Sequence, residues 1–458
     1  MASSRKSKSS NLSSRAENVL HGQIGQGDHL IVALSGGMDS VVLLDLLATL
    51  SVKMHFSLSA VHVNHGISTN ADKWGKFCRD LCRSLGVPIK ITRLNVSKEP
   101  GVSLEAAARD ARYGVFRKLK ADYVVLAQHL DDQAETLLLQ LLRGAGVKGL
   151  GAMPIVRSQS PGAMGQGIGS APRILRPLLE VSRSEIEAYA RKNQLHWITD
   201  ESNADIAFDR NFLRHEIFPL LEKRFPSYRT TFLRASRHLA EASSLLDELA
   251  EADSKSFIIS GKFQIEGLRK LDFPRAKNLL RYALTLQGAP LPSTVKLEEL
   301  LRQLLSLRPD AKLHITFGNI EIRCFKGILH VRPLSTCVTT EWQLAWHGEK
   351  QLIIADLGGK ISFSQRKSAG ISLQKLAANP IIIRSRRGGE RFHPDCKRPR
   401  RSLKNLLQES GLPPWEREIL PLLFSGEHLV WVPGIGIDCD FQAAAEEPGL
   451  VVKWQQGW

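Results

Sequence analysis

The chain has 458 residues, enough for about three domains, and 43% of them are hydrophobic, so each domain can bury a core. Its 62 Lys and Arg outnumber its 46 Asp and Glu, and the resulting charge of +16 favours polyanionic partners such as nucleic acid. No apolar run reaches the roughly 18 residues of a membrane span, which excludes an integral membrane helix and a membrane partner.

Residues 1–26 begin with the basic, serine-rich stretch MASSRKSKSSNLSSR, which lacks the apolar core of a secretory signal and predicts a disordered tail. Six cysteines in a chain of this length do not suggest a disulfide framework. Cys78 and Cys82 lie one helical turn apart, where buried free thiols are favoured over a metal site. These features predict a cytoplasmic, reduced protein.

From residue 30 to about residue 200, short β-rich runs alternate with segments whose apolar residues recur at helical spacing. The predicted strands are HLIVAL, SLSAVHV, PIKITRLNV and DYVVLAQ. The predicted helices are SVVLLDLLATL, ADKWGKFCRDLCRSLG, SLEAAARDARYGVFRKLK and QAETLLLQLLRG. This alternation predicts an α/β fold, in which helices cover both faces of a parallel sheet and ligands bind at the carboxyl ends of its strands.

The rest of the chain predicts two further domains after an α/β domain at residues 27–225. A Gly/Ser/Pro-rich insert at 157–172 reads as a flexible loop within that domain. Residues 226–335 are mainly helical and end in short strands joined by Gly turns, which predicts a middle domain. Residues 336–458 are predicted to form a small α+β C-terminal domain.

A glycine-containing hexapeptide, SGGMDS, follows the first predicted strand and opens the first long helix. Glycine lets the backbone approach an anion closely, and the amide groups at a helix N-terminus attract negative charge. Asp39 would repel a phosphate, so its expected role is to hold Mg²⁺ against it. A capped strand–helix turn is the simpler alternative. The predicted phosphate-binding residues of this loop are Ser35, Gly36, Gly37, Met38, Asp39 and Ser40.

SGGMDS resembles the PP-loop of the N-type ATP pyrophosphatase superfamily. The resemblance implies a sheet of the five-stranded type, as in adenine nucleotide alpha hydrolase-like domains, and the use of ATP with Mg²⁺. It also implies that ATP is cleaved between the α and β phosphates. AMP is then joined to a carbonyl oxygen and pyrophosphate leaves, which explains why the loop has no γ-phosphate lysine.

Five further blocks of sequence, in order, resemble the tRNA(Ile)-lysidine synthase family: AVHVNHGIS, SLEAAARDARYGVF, AQHLDDQAETLLLQLLRGAGVKGLGAM, ILRPLLEVSRSEIEAYA and TDESNADIAFDRNFLRHEIFPLL. The stretch RRGGERFHPDCKRPRRSLKNLLQESGLPPWEREILPLL resembles the C-terminal domain of that family. The resemblance implies that residues 27–225 form the catalytic domain, that residues 226–335 bind substrate or tRNA, and that residues 336–458 bind tRNA. The resemblance implies ATP-dependent attachment of free L-lysine to C2 of the wobble cytidine of tRNA(Ile) with a CAU anticodon, through an adenylated cytidine. That change shifts codon reading from AUG to AUA and charging from methionine to isoleucine. A homodimer is a further expectation.

The stretch HLDDQAET places acids at a strand end and in the first turn of a helix. Asp132 and Glu135 share a helix face, so they can bind the ammonium of lysine and accept a proton. His129 and Asp131 complete the predicted catalytic and lysine-binding group, and Asp131 is a second candidate for Mg²⁺. Stabilisation of the helix N-terminus is the alternative role of these acids. Gln128 stands where the family usually has a first histidine.

Two helical segments carry arginines at helical spacing. Arg109 and Arg112 are predicted to bind ATP phosphates, unless they pair with acids on the helix surface. His62 is placed near adenine by the resemblance, although packing is the commoner role of such a residue. The resemblance also implies that a segment closes over the site and meets tRNA; its residues are Arg176, Arg210, Asn211 and Arg214. Pairing of Arg210 and Arg214 with nearby acids is the alternative.

The stretch from residue 384 to residue 404 is strongly basic and interrupted by Gly and Pro, unlike an ordinary solvated helix face. It predicts a tRNA-binding patch whose members are Arg386, Arg387, Arg391, Arg400 and Arg401. Three other functions are less consistent with the sequence. A tRNA thiolase would need suitably paired cysteines. An amide-forming synthetase would need a glutaminase domain. A protein that only binds tRNA would not need the intact acids of the SGGMDS and HLDDQAET stretches.

Overall fold

A computed structural model of the chain describes residues 11–66, 70–94, 104–158, 171–199, 201, 205–255, 257–259, 262–286, 289, 291–308, 313–318, 320–334, 341–354 and 357–456. Residues 1–10 of the predicted tail and most of the 157–172 insert lie outside these ranges. The chain divides into two compact units. The first is Met1–Ser256 with Leu271–Leu291, and the second is Phe257–Lys270 with Pro292–Trp458.

The helices, in chain order, are α1 (Leu12–His21), α2 (Met38–Met54), α3 (Ala71–Ser84), α4 (Leu104–Arg117), α5 (Leu130–Leu142), α6 (Val147–Leu150), α7 (Arg183–Lys192), α8 (Asp209–Phe212), α9 (Phe218–Arg224), α10 (Tyr228–Ser254), α11 (Ile265–Arg269), α12 (Phe273–Leu286), α13 (Thr294–Ser306), α14 (Leu373–Leu376), α15 (Leu403–Glu409) and α16 (Pro414–Ile419). A π-helical turn, Leu213–Ile217, joins α8 to α9. Within the described ranges, no helix combines the length and the apolar character needed to cross a membrane.

The strands are β1 (His29–Ala33), β2 (Ser57–Asn64), β3 (Ile89–Arg93), β4 (Tyr123–Val125), β5 (Val156–Arg157), β6 (Arg173–Leu175), β7 (Ile258–Ile259), β8 (Lys262–Gln264), β9 (Leu313–Phe317), β10 (Ile320–Phe325), β11 (Ile328–Pro333), β12 (Gln343–Ala345), β13 (Gln351–Ile354), β14 (Gly359–Lys367), β15 (Ile371–Ser372), β16 (Ile381–Arg384), β17 (Arg391–Phe392), β18 (Arg401–Ser402), β19 (Leu422–Ser425), β20 (His428–Val432), β21 (Gly436–Ile437) and β22 (Pro448–Gln456).

The first unit is built on one sheet with strand order β3-β2-β1-β4-β6-β5. The first five strands in this order are parallel, and β5 is antiparallel to β6. The predicted parallel sheet of an α/β fold is confirmed. The segments β5 and β6 are too short to show an alternating pattern, so the sequence did not predict the antiparallel edge.

Helices cover both faces of this sheet because neighbouring side chains of a strand point to opposite sides. Leu30 and Val32 lie in a core shared with α1, α2, α3 and α7, whereas Ile31 lies in a second core with Tyr113 and Phe116 of α4. The carboxyl ends of β1, β2, β4 and β6 therefore form one edge, as predicted for the ligand-binding side.

The expected disordered tail at residues 1–26 is wrong for the described residues of that range. Leu12–His21 forms α1, whose Leu12, Ala16 and Leu20 are buried in the first core. Arg15 donates to Glu185 at 2.7 Å and to the carbonyl of Glu180 at 2.5 Å, which fixes the helix to α7. The sequence did not predict this helix because the segment is rich in serine and buries only three apolar residues on one face.

The long helix α10 belongs to the first unit, although the sequence placed it in a middle domain starting at residue 226. Tyr228 at its start stacks on Phe218 of α9 with ring centroids 5.2 Å apart. Arg275 of α12 pairs with Asp253 near its end at 2.5 Å. The helical part of the predicted middle region is thus divided between the two units.

The second unit contains a five-stranded antiparallel sheet, β7-β8-β11-β10-β9, with α11 and α13. Its C-terminal part has sheets β12-β16-β19-β20-β21 and β13-β14-β22-β15, the hairpin β17-β18 and three short helices. This arrangement confirms a small α+β C-terminal domain. Cys396 and Cys439 form a disulfide, which the sequence did not predict because 43 residues separate the two thiols.

Candidate active site

The SGGMDS loop connects β1 to α2, and Ser40 organises it from within. The Ser40 hydroxyl oxygen accepts hydrogen bonds from the amides of Ser35 at 3.2 Å and Gly36 at 3.1 Å, and the hydroxyl donates to the Gly37 carbonyl at 2.9 Å. Ser35 and Ser40 are also joined through their hydroxyl groups at 3.0 Å. The first amides of the loop therefore shape the loop itself. The amides that remain available to bind an anion are those at the start of α2, which have no intrahelical acceptor.

Gly36 is the position in this loop that requires glycine. Its φ is +92°, a conformation that other residues rarely adopt. A Cβ atom here would lie 3.1 Å from the Ile198 side chain and 3.2 Å from the Cys78 sulfur. Gly36 is thus required by its backbone conformation and by the side chains packed against it, and the predicted close approach to an anion stays a prediction.

His129 lies at the centre of a group of carboxylates from α2 and α5, which we call the acidic centre (Asp39, His129, Asp131 and Asp132). Its Nε2 is 3.6 Å from both Asp39 and Asp132, and its Nδ1 is 3.7 Å from Asp131. Burial alone would lower the pKa of His129, but the charges of Asp132 and Asp39 outweigh it and raise the pKa to about 9. His129 is therefore a buried cation at neutral pH, and the predicted meeting of His129 with Asp39 at one sheet edge is confirmed.

Asp39 has the properties expected of a ligand to a divalent cation. Burial would raise its pKa, but the hydrogen bond and charge of His129, with Arg183 and Arg214, lower it, so the carboxylate is ionised. Its Oδ1 atom is buried and has no hydrogen-bond partner among the residues that the structure describes. Asp39 as a residue is half-buried, but a charged oxygen that is buried and unpaired is costly, so these surroundings fit Mg²⁺.

Asp131 is already held by two other groups. Its Oδ1 accepts from Arg229 at 2.5 Å and its Oδ2 accepts from the Arg183 amide at 2.9 Å. Burial would raise the pKa of Asp131, but these two hydrogen bonds lower it. The contacts make Asp131 a link between α5, α7 and α10, and they favour this structural role over the alternative of a second Mg²⁺ ligand. Arg183 lies in a block that resembles the family, but neither it nor Arg229 was singled out from the sequence, because their contacts with Asp131 depend on tertiary folding.

Arg214 binds the two acids that were predicted to hold lysine. Its guanidinium donates to both oxygens of Glu135, with Nη2 3.0 Å from Oε2, and to Asp132 at 3.2 Å. Glu135 is fully buried, and this burial raises its pKa although Arg214 opposes the effect. The alternative that Arg214 pairs with an acid of its own segment is wrong. The predicted closing segment and the predicted lysine site thus meet through the two ion pairs of Arg214.

The other predicted residues of the closing segment have separate surroundings. Asn211 is buried and donates to the Asp205 carbonyl at 2.8 Å, which stabilises the turn before α8. Arg210 acts on Glu135 through its charge. Arg176 does not join this segment; it is buried at the end of β6 and donates to Gln128 at 2.5 Å and to the Pro154 carbonyl at 2.8 Å.

The predicted nucleotide residues outside the loop are divided between two places. His62 is buried beneath the loop, where its Nδ1 is 2.9 Å from the Leu34 carbonyl oxygen and 3.5 Å from the Cys78 sulfur. It therefore supports the loop from below. Arg109 lies over the ring of Tyr113 at 5.7 Å, and the charge of Arg112 acts on His65 at the end of β2. These arginines belong to the other face of the sheet from His62.

The cysteines near the loop do not support sulfur chemistry. Burial raises the pKa of Cys78 to about 12 and that of Cys82 to about 11, so both are neutral thiols at physiological pH. Both are free and buried, as the sequence predicted. This disfavours the thiolase alternative.

The basic patch of the C-terminal part is partly neutralised by acids. Arg386 lies 3.6 Å from Glu390, Arg400 donates to Asp440 at 2.8 Å, and Arg401 donates to Glu409 at 2.5 Å. Arg387 and Arg391 are exposed, and Arg391 donates to the Arg400 carbonyl at 3.0 Å. These two carry the charge that the patch presents to solvent most directly.

Comparison with known proteins agrees with this arrangement. Family descriptions match as a PP-loop domain at residues 8–221, a TilS substrate binding domain at residues 263–330 and a TilS substrate C-terminal domain at residues 381–454. A tRNA(Ile)-lysidine synthase of Nitrosomonas europaea is 52% identical, covering 95% of this chain and 93% of that protein. Another, of Azoarcus sp., is 39% identical, covering 96% and 94%.

Among solved structures, a U34-tRNA thiolase from Methanococcus maripaludis matches with a TM-score of 0.43 and 18% identity, over 50% of this chain and 78% of that one. The family assignment rests on the sequence relatives, which share almost their whole length with this chain. A nucleotide loop, an acidic centre beside it and the three matched domains all point the same way. The chain belongs to the tRNA(Ile)-lysidine synthase family.

Proposed function

We propose that this enzyme joins free L-lysine to C2 of the wobble cytidine of tRNA(Ile) with a CAU anticodon, releasing AMP and pyrophosphate. The observation that supports this most directly is the position of the acidic centre beside a loop suited to phosphate. The first half-reaction forms a bond between the cytidine C2 oxygen and the α-phosphorus of ATP as the α–β bond breaks. In the second, the lysine ε-amine attacks C2 and AMP leaves with that oxygen.

The start of α2 and the residues around it would hold the phosphates. The amides of Met38 and Asp39 lie at the positive end of the helix dipole, where an anion is stabilised. Asp39 would hold Mg²⁺ through the buried Oδ1 atom, and that ion would neutralise charge on the departing pyrophosphate. Because the His129 pKa is about 9, its imidazolium adds a positive charge beside Asp39 at neutral pH.

The carboxylates of Asp132 and Glu135 would bind the ammonium of lysine and take up its proton. His129 is already protonated at neutral pH, so it is a poor general base for the attacking amine. The pKa of Glu135 is raised by burial, which brings it closer to that of a useful proton acceptor. The Arg214 guanidinium is hydrogen-bonded to both acids. Arg214 must therefore release at least one of them before the ammonium of lysine can bind there.

Arginines in two places would contact the tRNA. Arg210 and Arg214 belong to the segment proposed to close over the acidic centre, and Arg387 and Arg391 expose charge on the C-terminal part. We further propose that the enzyme works in the cytoplasm, where its tRNA substrate is found. A homodimer remains part of the proposal, and sedimentation of the purified full-length chain tests it.

Mass spectrometry of the wobble nucleoside after incubation with ATP, Mg²⁺, lysine and the tRNA(Ile) transcript tests the reaction. The expected product is lysidine, formed together with equal amounts of AMP and pyrophosphate. A transcript whose wobble base is uridine is the matched control and should remain unmodified. Formation of ADP and orthophosphate, or an unchanged cytidine in the complete mixture, would contradict the proposal.

A further inference from the structure

A second charged group lies at the carboxyl edge of the sheet, on the opposite face of β4 from the loop. Its centre is Tyr113 of α4, which is buried. The guanidinium carbon of Arg109 lies 5.7 Å from the centre of the Tyr113 ring, and that of Arg157 on β5 lies 5.2 Å from it. Arg176 follows β6, and its charge acts on the Tyr113 phenol. We call these four residues the Tyr113 cluster.

Among the residues that the structure describes, neither hydrogen-bond acceptor of the buried Arg176 guanidinium is a carboxylate. Only 1% of its surface is exposed, and its hydrogen bonds to Gln128 and the Pro154 carbonyl are made to neutral acceptors. Burial accordingly lowers the pKa of Arg176. Burying a guanidinium beside neutral partners is unfavourable unless an anion completes the site, so the cluster has the character of a preformed anion site.

The electrostatic surroundings of Tyr113 agree with this interpretation. Burial would raise the pKa of the phenol, yet its pKa is lowered, because the charges of Arg176, Arg109, Arg157 and Arg112 outweigh the burial. The four charges that act most strongly on this buried hydroxyl are thus guanidinium groups. Such a field attracts phosphate, and arginine can bind it with two parallel hydrogen bonds.

Two adjacent residues separate the Tyr113 cluster from the acidic centre. Gln128 points to Arg176 and accepts its hydrogen bond, whereas His129 points to Asp39 and Asp132. The end of β4 therefore has a positive group on one side and a negative group on the other. The acidic centre suits Mg²⁺ and the ammonium of lysine, while the Tyr113 cluster suits an anion that is distinct from both.

We propose that the Tyr113 cluster binds a phosphodiester of the RNA strand close to the reacting nucleotide, an inference that rests on the proposed function. The exposure of the arginines increases from one to the next, which favours an extended polyanion over a compact anion as the ligand of the cluster. Arg176 is buried, Arg109 is half-buried and Arg157 is exposed, so positive charge continues from the sheet edge to solvent. A backbone that enters from solvent can follow such a path. This assigns Arg109, first expected at ATP, to the RNA, and it adds Arg157 and Tyr113, which no sequence motif marked.

The test compares Arg157→Gln and Arg157→Lys in the full-length protein, measured by tRNA binding as a function of salt and by ATP binding without tRNA. Arg157→Gln should lower the slope of log affinity against log salt by about 0.7–0.9, because one phosphate is no longer neutralised. Arg157→Lys keeps the charge and should recover most of that slope, although it lacks the two-pronged geometry. ATP binding should be unchanged in both variants, and an unrelated tRNA should lose affinity by the same factor, because a phosphate contact carries no base information.

Arg117→Gln is the matched control, since Arg117 is exposed on the same helix α4 and the charge change is equal. Its salt slope should match that of the wild type. Weaker ATP binding with an unchanged tRNA slope would assign the cluster to the nucleotide and overturn the proposal, as would an unchanged slope with unchanged ATP binding. Binding is measured without lysine, so either result stands apart from whether the wild-type enzyme forms lysidine.

Discussion

Arg214 on the π-helical turn holds Glu135 on α5 with two hydrogen bonds, although 79 residues separate the two in the chain. The same guanidinium reaches Asp132 at 3.2 Å. The closing segment thus places a cation of its own where the ammonium of lysine is proposed to bind. In this structure the positive charge of Arg214 therefore already neutralises the two acids of the proposed lysine site.

The first prediction concerns this pair of acids. Glu135→Gln should raise the lysine concentration needed for half-maximal lysidine formation by at least tenfold, because the amide cannot neutralise an ammonium or accept its proton. Formation of adenylated tRNA from ATP without lysine should continue. The measurement is a lysine titration with radiolabelled amino acid.

Glu216→Gln is a suitable control for that titration, because Glu216 is exposed on the same turn as Arg214. Its lysine requirement should equal that of the wild type. If Glu135→Gln also left the requirement unchanged, Glu135 would be removed from the lysine site and its bond to Arg214 would have only a structural role.

The second prediction concerns the buried oxygen of Asp39. Asp39→Asn should lower pyrophosphate release by at least a hundredfold, because a neutral amide is a far weaker Mg²⁺ ligand than a carboxylate. Binding of tRNA, measured by filter retention, should persist. The exposed Asp80 on α3 provides the control variant Asp80→Asn. Normal pyrophosphate release by Asp39→Asn at all Mg²⁺ concentrations would refute the metal role.

The third prediction is a pH dependence set by His129. Its pKa is about 9 in the folded protein, because the charges of Asp132 and Asp39 overcome the effect of burial. The folded-state pKa lies above the ordinary value near 6.5, so this stabilisation is complete below pH about 6.5 and is lost as pH rises through about 9. The difference between the two pKa values corresponds to about 3 kcal/mol of unfolding free energy at most.

Urea unfolding of the wild type between pH 6 and 10 measures this loss, and His129→Gln should lack that part of the pH dependence. The His129 imidazole resonance, identified by its loss in His129→Gln, should also titrate near pH 9 in the folded wild type. A midpoint near 6.5 for that resonance would contradict the assignment of a buried imidazolium to His129.

The features that the sequence predicted are those whose parts lie together in the chain. The loop of Ser35 to Ser40 and the run from His129 to Glu135 each join a strand end to a helix start, so their composition indicates their place in an α/β sheet. Pairs that depend on tertiary folding left no local pattern. Arg229 reaches Asp131 across 98 residues, and its position at the start of α10 has no motif.

The fourth prediction concerns the exposed arginines of the C-terminal part. Arg387→Gln with Arg391→Gln should weaken tRNA binding and lower its salt slope by about 0.7–0.9 for each phosphate that is no longer neutralised. Arg400 and Arg401 are paired with Asp440 and Glu409, so their single substitutions should change the slope less. Binding assays over a range of KCl concentrations separate these cases.

Lys360→Gln is the control for that series, because Lys360 is exposed on β14 and lies outside the basic stretch. It should leave the slope unchanged. Equal slopes for the double variant and the wild type would show that the patch does not touch the RNA backbone.

The fifth prediction concerns the disulfide that links the basic hairpin to the rest of the C-terminal part. Cys396 lies between β17 and β18, and Cys439 begins a short 3-10 turn beside Asp438. Asp438 is buried and accepts a hydrogen bond from the His393 amide at 3.0 Å, so both contacts hold the loop that carries Arg400.

Because the crosslink restricts the unfolded chain, Cys396→Ser should lower the unfolding free energy of the second unit by about 2–4 kcal/mol. Added dithiothreitol should produce a similar loss in the wild type and no further loss in Cys396→Ser, as measured by the midpoint of thermal unfolding. An equal effect of the reductant on both proteins would show that the two thiols are not joined in solution.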